Sequence, residues 1–164
     1  MNTTKIKVKP HLAEYCIGCW GIDFSEPVEF PPFTDLHVLI YDLLQKGKID
    51  CDTDDYNLEI VIPNRKSDSE GFRKCLEYYK FLSAKSCRAI EKRIEKIFWK
   101  DLHDELLYWK EDHSQNYDIT VNYFICKYKI ESITEDALLK NFYRWRINKQ
   151  KREKRKYIRS KKAS

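Results

Sequence analysis

Glycine and proline are scarce in this sequence, with 4 Gly and 5 Pro in 164 residues. So few turn-forming residues exclude a many-stranded β fold, which turns about every 8–12 residues, and they favour helices. After Pro63 there is no proline at all, so nothing beyond it breaks a helical pattern by removing an N–H. Long apolar runs are absent too. No stretch approaches the roughly 18 apolar residues of a bilayer-crossing helix, and MNTTKIKVKPHLAEY lacks the continuous apolar segment of a secretory signal. The sequence therefore reads as that of a cytoplasmic protein. It also has no glycine-rich phosphate loop, no Gly-x-Ser-x-Gly elbow and no nuclease-like set of carboxylates. The expectation is a non-enzymatic protein without a cofactor.

Six cysteines with no secretory route read as reduced thiols rather than as a disulfide framework. Cys75, Cys87 and Cys126 fall in helical patterns, as small buried hydrophobes do. Cys16 and Cys19, separated by Ile17 and Gly18, form the one spacing that a metal would use. His11 and Cys51 are the further ligands in reach, but no second closely spaced Cys or His pair follows, so no metal is expected. Redox pairs of this spacing open a helix after a strand, whereas Trp20 and Gly21 follow here. His103 beside Asp104, bracketed by Asp101 and Glu105, and His113 beside Asp112 read as surface groups on a charged helical face. DCDTDD at 50–55 has acids at a calcium-like spacing but lacks the turn glycine and the terminal glutamate.

What is present supports folding: 42% apolar residues, 14% aromatic, and enough length to bury a real core. KIKVK at 5–9 alternates as a half-buried strand does, and Pro10 stops it. Residues 11–33 hold GCWG and FPPF and read as irregular, with one short strand at 28–30. Thr34 caps a helix in which Leu36, Leu39, Ile40, Leu43 and Leu44 recur until Gly47. Leu58, Ile60 and Ile62 alternate in the most strand-like run, which Pro63 ends. NRKSDSEG at 64–71 is a polar boundary. From Ser67, with Glu70 as capping-box partner, the pattern turns helical. Ile90, Ile94, Ile97, Phe98, Leu102, Leu106 and Trp109 then make one stripe, and HSQN at 113–116 closes that helix. Two shorter helices follow. One carries Ile119, Tyr123, Phe124, Cys126 and Ile130; the other starts after IESI, at a Ser132–Glu135 capping box or at Thr134.

The fold class is therefore α+β and mainly helical. A small N-terminal sheet with one helix covers 1–66, a helical unit covers 67–151 with a helix-turn-helix-like pair at 118–151, and a basic tail covers 152–164.

The formal charge of +5 hides an uneven distribution. Residues 140–164 carry twelve Lys and Arg against a single acid, Glu153, while residues 1–139 carry 19 bases and 25 acids. An acidic body repels polyanions and confines their contact to the basic end. At 100° per residue, Leu138, Leu139, Phe142 and Trp145 share an arc of roughly 120°, the width of a core-facing stripe. Lys140, Arg144, Ile147 and Lys151 point away from it, flanked by Asn141, Tyr143 and Asn148. Lys, Arg and Asn on one exposed face are side chains that grip phosphates and read base edges.

Three helices ending in such a face predict a helix-turn-helix-like module that binds duplex DNA. Lys140, Asn141, Tyr143, Arg144, Asn148 and Lys151 lie on the recognition helix, with Arg152, Lys154, Arg155 and Lys156 placed for the DNA backbone. RNA is the alternative ligand, with Tyr143, Trp145 and Tyr157 as stacking rings. The rival role is protein–protein interaction or a virion-associated structural part, in which the acidic body docks a protein partner and the basic tail is incidental.

KVKPHLAEYCIG and IESITEDALLKNFYRWR resemble stretches of uncharacterised small proteins carried by phages, prophages and other mobile elements of gut bacteria. The resemblance implies a mobile-element context in a bacterial host cell, with regulation, replication or packaging as uses of DNA binding. It implies no functional residue.

Overall fold

The structure, a computed structural model, describes residues 2–21, 26–32, 34–47, 56–63 and 78–162. In chain order its elements are β1 (Thr3–Ile6), α1 (Pro10–Trp20), α2 (Asp35–Leu43), β2 (Gln45–Lys46), β3 (Leu58–Val61), β4 (Tyr79–Phe81), α3 (Ala84–His113), α4 (Tyr117–Tyr128) and α5 (Glu135–Lys162). The protein is a mainly helical α+β fold, with its strands before the long helices. β1 pairs antiparallel with β3, Thr3 opposite Val61 and Ile6 opposite Leu58, and β2 pairs antiparallel with β4. Val28 adds an isolated parallel bridge to Ile60. Alternation along β3 turns Leu58 and Ile60 into the core, where they meet Ile6 and Val8.

Residues 11–20 are helical where an irregular segment was expected. Pro10 takes the first turn of α1, where its missing N–H leaves no bond unmade and its fixed φ suits a helix. That start also shortens the preceding strand, which ends at Ile6 instead of running to residue 9. Leu12, Ala13, Tyr15 and Cys16 form the buried stripe of α1. Gly18 is not a turn residue: a Cβ there would lie 2.6 Å from the carbonyl oxygen of Tyr128 and 2.8 Å from its Cα. Only glycine lets α1 come this close to the end of α4.

A second difference falls before α3. Tyr79–Phe81 form β4 where a helical run was expected, and the partner strand at Gln45–Lys46 ends α2 at Leu43, short of Gly47. The α2 cap is as expected, with Thr34 Oγ1 accepting from His37 N at 3.2 Å. Ser83 Oγ caps α3 by accepting from Ser86 N at 3.2 Å. The expected boundary at 64–71, the Ser67–Glu70 capping box, Cys51, Cys75 and the acidic stretch at 50–55 lie outside the described residues.

One buried cluster joins Ile6, Val28 and Ile60 to Ile90, Phe98, Leu106, Phe124, Leu138 and Phe142, so strands and long helices share a core. Tyr15 sits at its centre, fully buried. Its ring meets Phe98 edge-on at 5.2 Å and Tyr128 at 5.0 Å, and stacks with Phe124 at 6.3 Å. Its hydroxyl donates to Asp101 Oδ2 at 2.5 Å. Burial, reinforced by that bond, pushes the phenol far above its usual range, so it stays protonated and keeps donating.

α1 also fixes the α4–α5 turn. Glu14 Oε2 accepts from Glu131 N at 2.9 Å, Ser132 N at 3.1 Å and Ser132 Oγ at 2.9 Å. Ser132 is thereby engaged away from Glu135, and α5 starts at the alternative cap, Thr134, whose Oγ1 accepts from Ala137 N at 3.3 Å. Charge-assisted bonds of this kind contribute about 1.5–3 kcal/mol when sheltered and less at a wetted edge. Glu14→Ala is expected to lower stability by about 1–3 kcal/mol, and Glu14→Gln, which keeps an acceptor oxygen but not the charge, by about half as much. Urea unfolding checks this, and unchanged midpoints for both variants would remove Glu14 as a structural tie.

Candidate nucleic-acid interface

α5 runs without interruption from Glu135 to Lys162. Lys, Arg, Gln and Glu are good helix formers. Glu135 and Asp136 occupy the first turn and suit the positive end of the helix dipole, while the cations gather toward its negative end. Leu138 and Phe142 are fully buried, and Leu139 and Trp145 pack half-buried against the same core. Over residues 146–157 every described side chain is exposed. The basic stretch expected as a tail from residue 152 therefore begins as a continuation of the anchored helix.

The structure divides the expected site residues into those that line a cleft and those that do not. Asn141, Arg144, Asn148 and Arg152 line a cleft of about 610 Å³, together with Trp145, Lys149 and Glu153 of the same helix and Trp99 and His103 of α3. α4 packs closely against both α3 and α5. α3 and α5 meet through rings instead: His103 stacks with Trp145 at 4.3 Å and 29°, and lies 5.7 Å from Phe142. Beyond those rings the two helices leave the cleft between them. The rest of the expected set does not line that cleft. Lys140 is paired with Asp136 at 2.6 Å, and Tyr143 is exposed with an edge contact to Tyr117. Lys151, Lys154 and Arg155 are exposed. The side chain of Lys156 lies outside the described residues.

Two expectations about residues of the cleft need correction, and the stripe expected on α4 differs as well, with Thr120, Val121 and Phe124 buried and Ile119, Tyr123 and Cys126 exposed. His103 is not a surface group, since it is only 5% exposed. Asn141 is not a free base reader, because it is half-buried with its Oδ1 3.2 Å from His103 Nε2. In that arrangement the neutral imidazole donates from Nε2. Burial lowers the His103 pKa, and the Asn141 bond and the Asp104 charge pull against this without overcoming it. The ring is therefore neutral at pH 7. Trp99 lies 6.1 Å from it on α3, and Lys149 Nζ sits 5.2 Å above the Trp145 ring as a cation–π contact.

Trp99 and Lys149 were missed in the sequence, yet each carries a signal. Trp99 and His103 are four apart beside the Phe98–Leu102–Leu106 stripe, and Lys149 follows Trp145 by one turn. Arg146, also not assigned from sequence, donates from Nη1 to the Tyr117 hydroxyl at 3.2 Å.

The Cys16–Cys19 pair lies on α1. Cys16 is fully buried, and burial pushes both thiols above their usual range, so both are protonated at neutral pH. His11, on the same helix, packs its ring 5.4 Å from Phe98. Burial, with Lys9 second, lowers its pKa as well. Among the described residues no three His, Cys, Asp or Glu side chains group to hold a metal ion.

These two histidines set a pH dependence. An unfolded His titrates near 6.5, whereas both folded groups titrate lower. The unfolded chain therefore binds more protons as pH falls through about 6.5, and stability drops by up to about 1.4 kcal/mol per pH unit for each fully shifted group. The loss levels off below the folded values. Urea midpoints between pH 7 and 5 are expected to fall, and His103→Gln, which can still donate to Asn141, is expected to flatten the slope. A variant slope equal to that of the parent would remove His103 as a contributor.

Among the described residues no helix is long and apolar enough to cross a membrane. No family model matches the chain, and no match is found among curated proteins or solved structures.

Proposed function

We propose that this protein is a non-enzymatic nucleic-acid-binding protein that grips duplex DNA with the cationic half of α5. Its use would be regulation, replication or packaging for a mobile element. The observation that carries the reading is the continuity of α5, in which Leu138 and Phe142 anchor one end in the core and the same helix presents Lys151, Lys154 and Arg155 to solvent. A helix about 10–12 Å across fits a major groove about 12 Å wide. The Lys140–Asp136 pair puts one carboxylate near the first turn, so contact centres on the residues beyond it. A salt titration against duplex DNA tests the reading. Neutralising roughly 4–8 phosphates gives a slope of log K against log salt of about −4 to −7, and a slope near zero would sink the proposal.

A second reading, docking of a protein partner, draws support from Tyr108 and Tyr123. Both are exposed and flank Trp109 at the corner between α3 and α4. Partner capture that survives neutralisation of α5 would favour it.

A further inference from the structure

We infer that the α3–α5 cleft holds one unpaired nucleotide of a single strand, with its base against the Trp99 and Trp145 indoles and its phosphate between Arg144 and Arg152. This rests on the nucleic-acid reading of α5 and extends it from phosphate gripping to a defined site.

The volume, about 610 Å³, lies within the roughly 300–1,000 Å³ of sites that enclose a small ligand. The lining is cationic, with Arg144, Lys149 and Arg152 against Glu153 alone. Arg144 and Arg152 stand one turn either side of Asn148, about 6 Å away along the axis in each direction. Both guanidiniums therefore reach a phosphate placed over Asn148, and planar guanidinium groups bind phosphate in a forked geometry. Among the described residues the side chains of Arg144, Asn148 and Arg152 make no hydrogen bond or ion pair within the chain, so their donors are uncommitted.

Phosphate alone does not account for the rest of the lining. Trp99 and Trp145 provide indole surface, and such surface matches a base whose own ring face is free. Inside a duplex both faces of a base are covered by its neighbours, which is why the fitting unit is an unpaired nucleotide. Asn141 is held by His103 through Oδ1, leaving its amide protons fixed at the cleft wall, and Asn148 adds a second amide. Amides are the groups that meet the edge of an unpaired base.

The test uses the full chain with a dye-labelled ten-nucleotide DNA single strand, the corresponding blunt duplex, and adenosine monophosphate and inorganic phosphate as competitors. Trp99→Ala and Arg152→Ala are each expected to weaken the single strand about tenfold and the duplex no more than about twofold. Asn148→Ala, at an exposed position, guards against loss of folding as the cause and is expected to act in the same direction. Lys151→Ala, outside the cleft lining, is expected to weaken both ligands alike. Adenosine monophosphate displacing the strand better than inorganic phosphate supports the base contact, whereas equal displacement overturns it. Parallel losses on strand and duplex in the cleft variants overturn the cleft site and leave the α5 reading standing. Absence of binding to either nucleic acid overturns both.

Discussion

Replacing Lys151, Lys154 and Arg155 together by glutamine is expected to lower duplex-DNA affinity on the order of 10²–10³-fold at roughly 0.1 M salt. Each phosphate contact releases condensed counterions and contributes about 0.9 to the slope of log K against log salt, so three contacts remove about 2.7 from that slope. Extrapolated to 0.1 M, the same figure sets the size of the affinity loss. All three side chains are exposed and belong to the stretch of α5 beyond its buried anchor, and glutamine is nearly as good a helix former as lysine or arginine. Circular dichroism and urea midpoints should therefore match those of the parent while binding collapses. The two proteins should converge near 1 M salt, where screening removes the difference. An unchanged slope with unchanged affinity would show that these three side chains do not meet phosphate.

Phe142→Ala is expected to destabilise the protein by about 3–5 kcal/mol, which lowers the melting temperature by roughly 6–20 °C for a chain of this size. Phe142 is fully buried and its ring touches His103, Tyr117 and Trp145. Truncation removes the transfer energy of the ring and leaves a cavity bounded by three large rings that cannot all relax into it. Urea unfolding followed by fluorescence and by far-ultraviolet circular dichroism checks the size of the effect. Coincident transitions would show that α5 unfolds together with the body. A loss below about 1 kcal/mol would mean that the anchor of α5 lies elsewhere.

The two variants separate roles that one helix combines, and they show how much of that helix can be read from residue order. The anchor stripe of Leu138 and Phe142, the exposed cations and the Thr34 cap were all legible, because period and capping chemistry act over three or four residues. The same holds for the long stripe of α3 and for the strand at Leu58–Val61. α1 was not legible. Its Pro10, Gly18 and Gly21 resemble loop punctuation, and only the approach of Tyr128 explains why glycine stands at 18. β4 was hidden because a two-residue partner, Gln45–Lys46, defines it from far along the chain.

The candidate site divides in the same way. Its charge was countable from the sequence, but the partition of that charge was not. Periodicity establishes which face of a helix is apolar, how its ends are capped and where its cations cluster, since these depend on neighbours one turn away. It does not establish which element covers that face or where two helices diverge. The cleft exists because α4 packs against both α3 and α5 while those two meet through His103 with Asn141, Phe142 and Trp145. The tie from Glu14 to the α4–α5 turn spans more than a hundred residues for the same reason. Both are contacts at long sequence separation, set by how whole elements pack, and they decide which of the cations on α5 face solvent and which face a cleft.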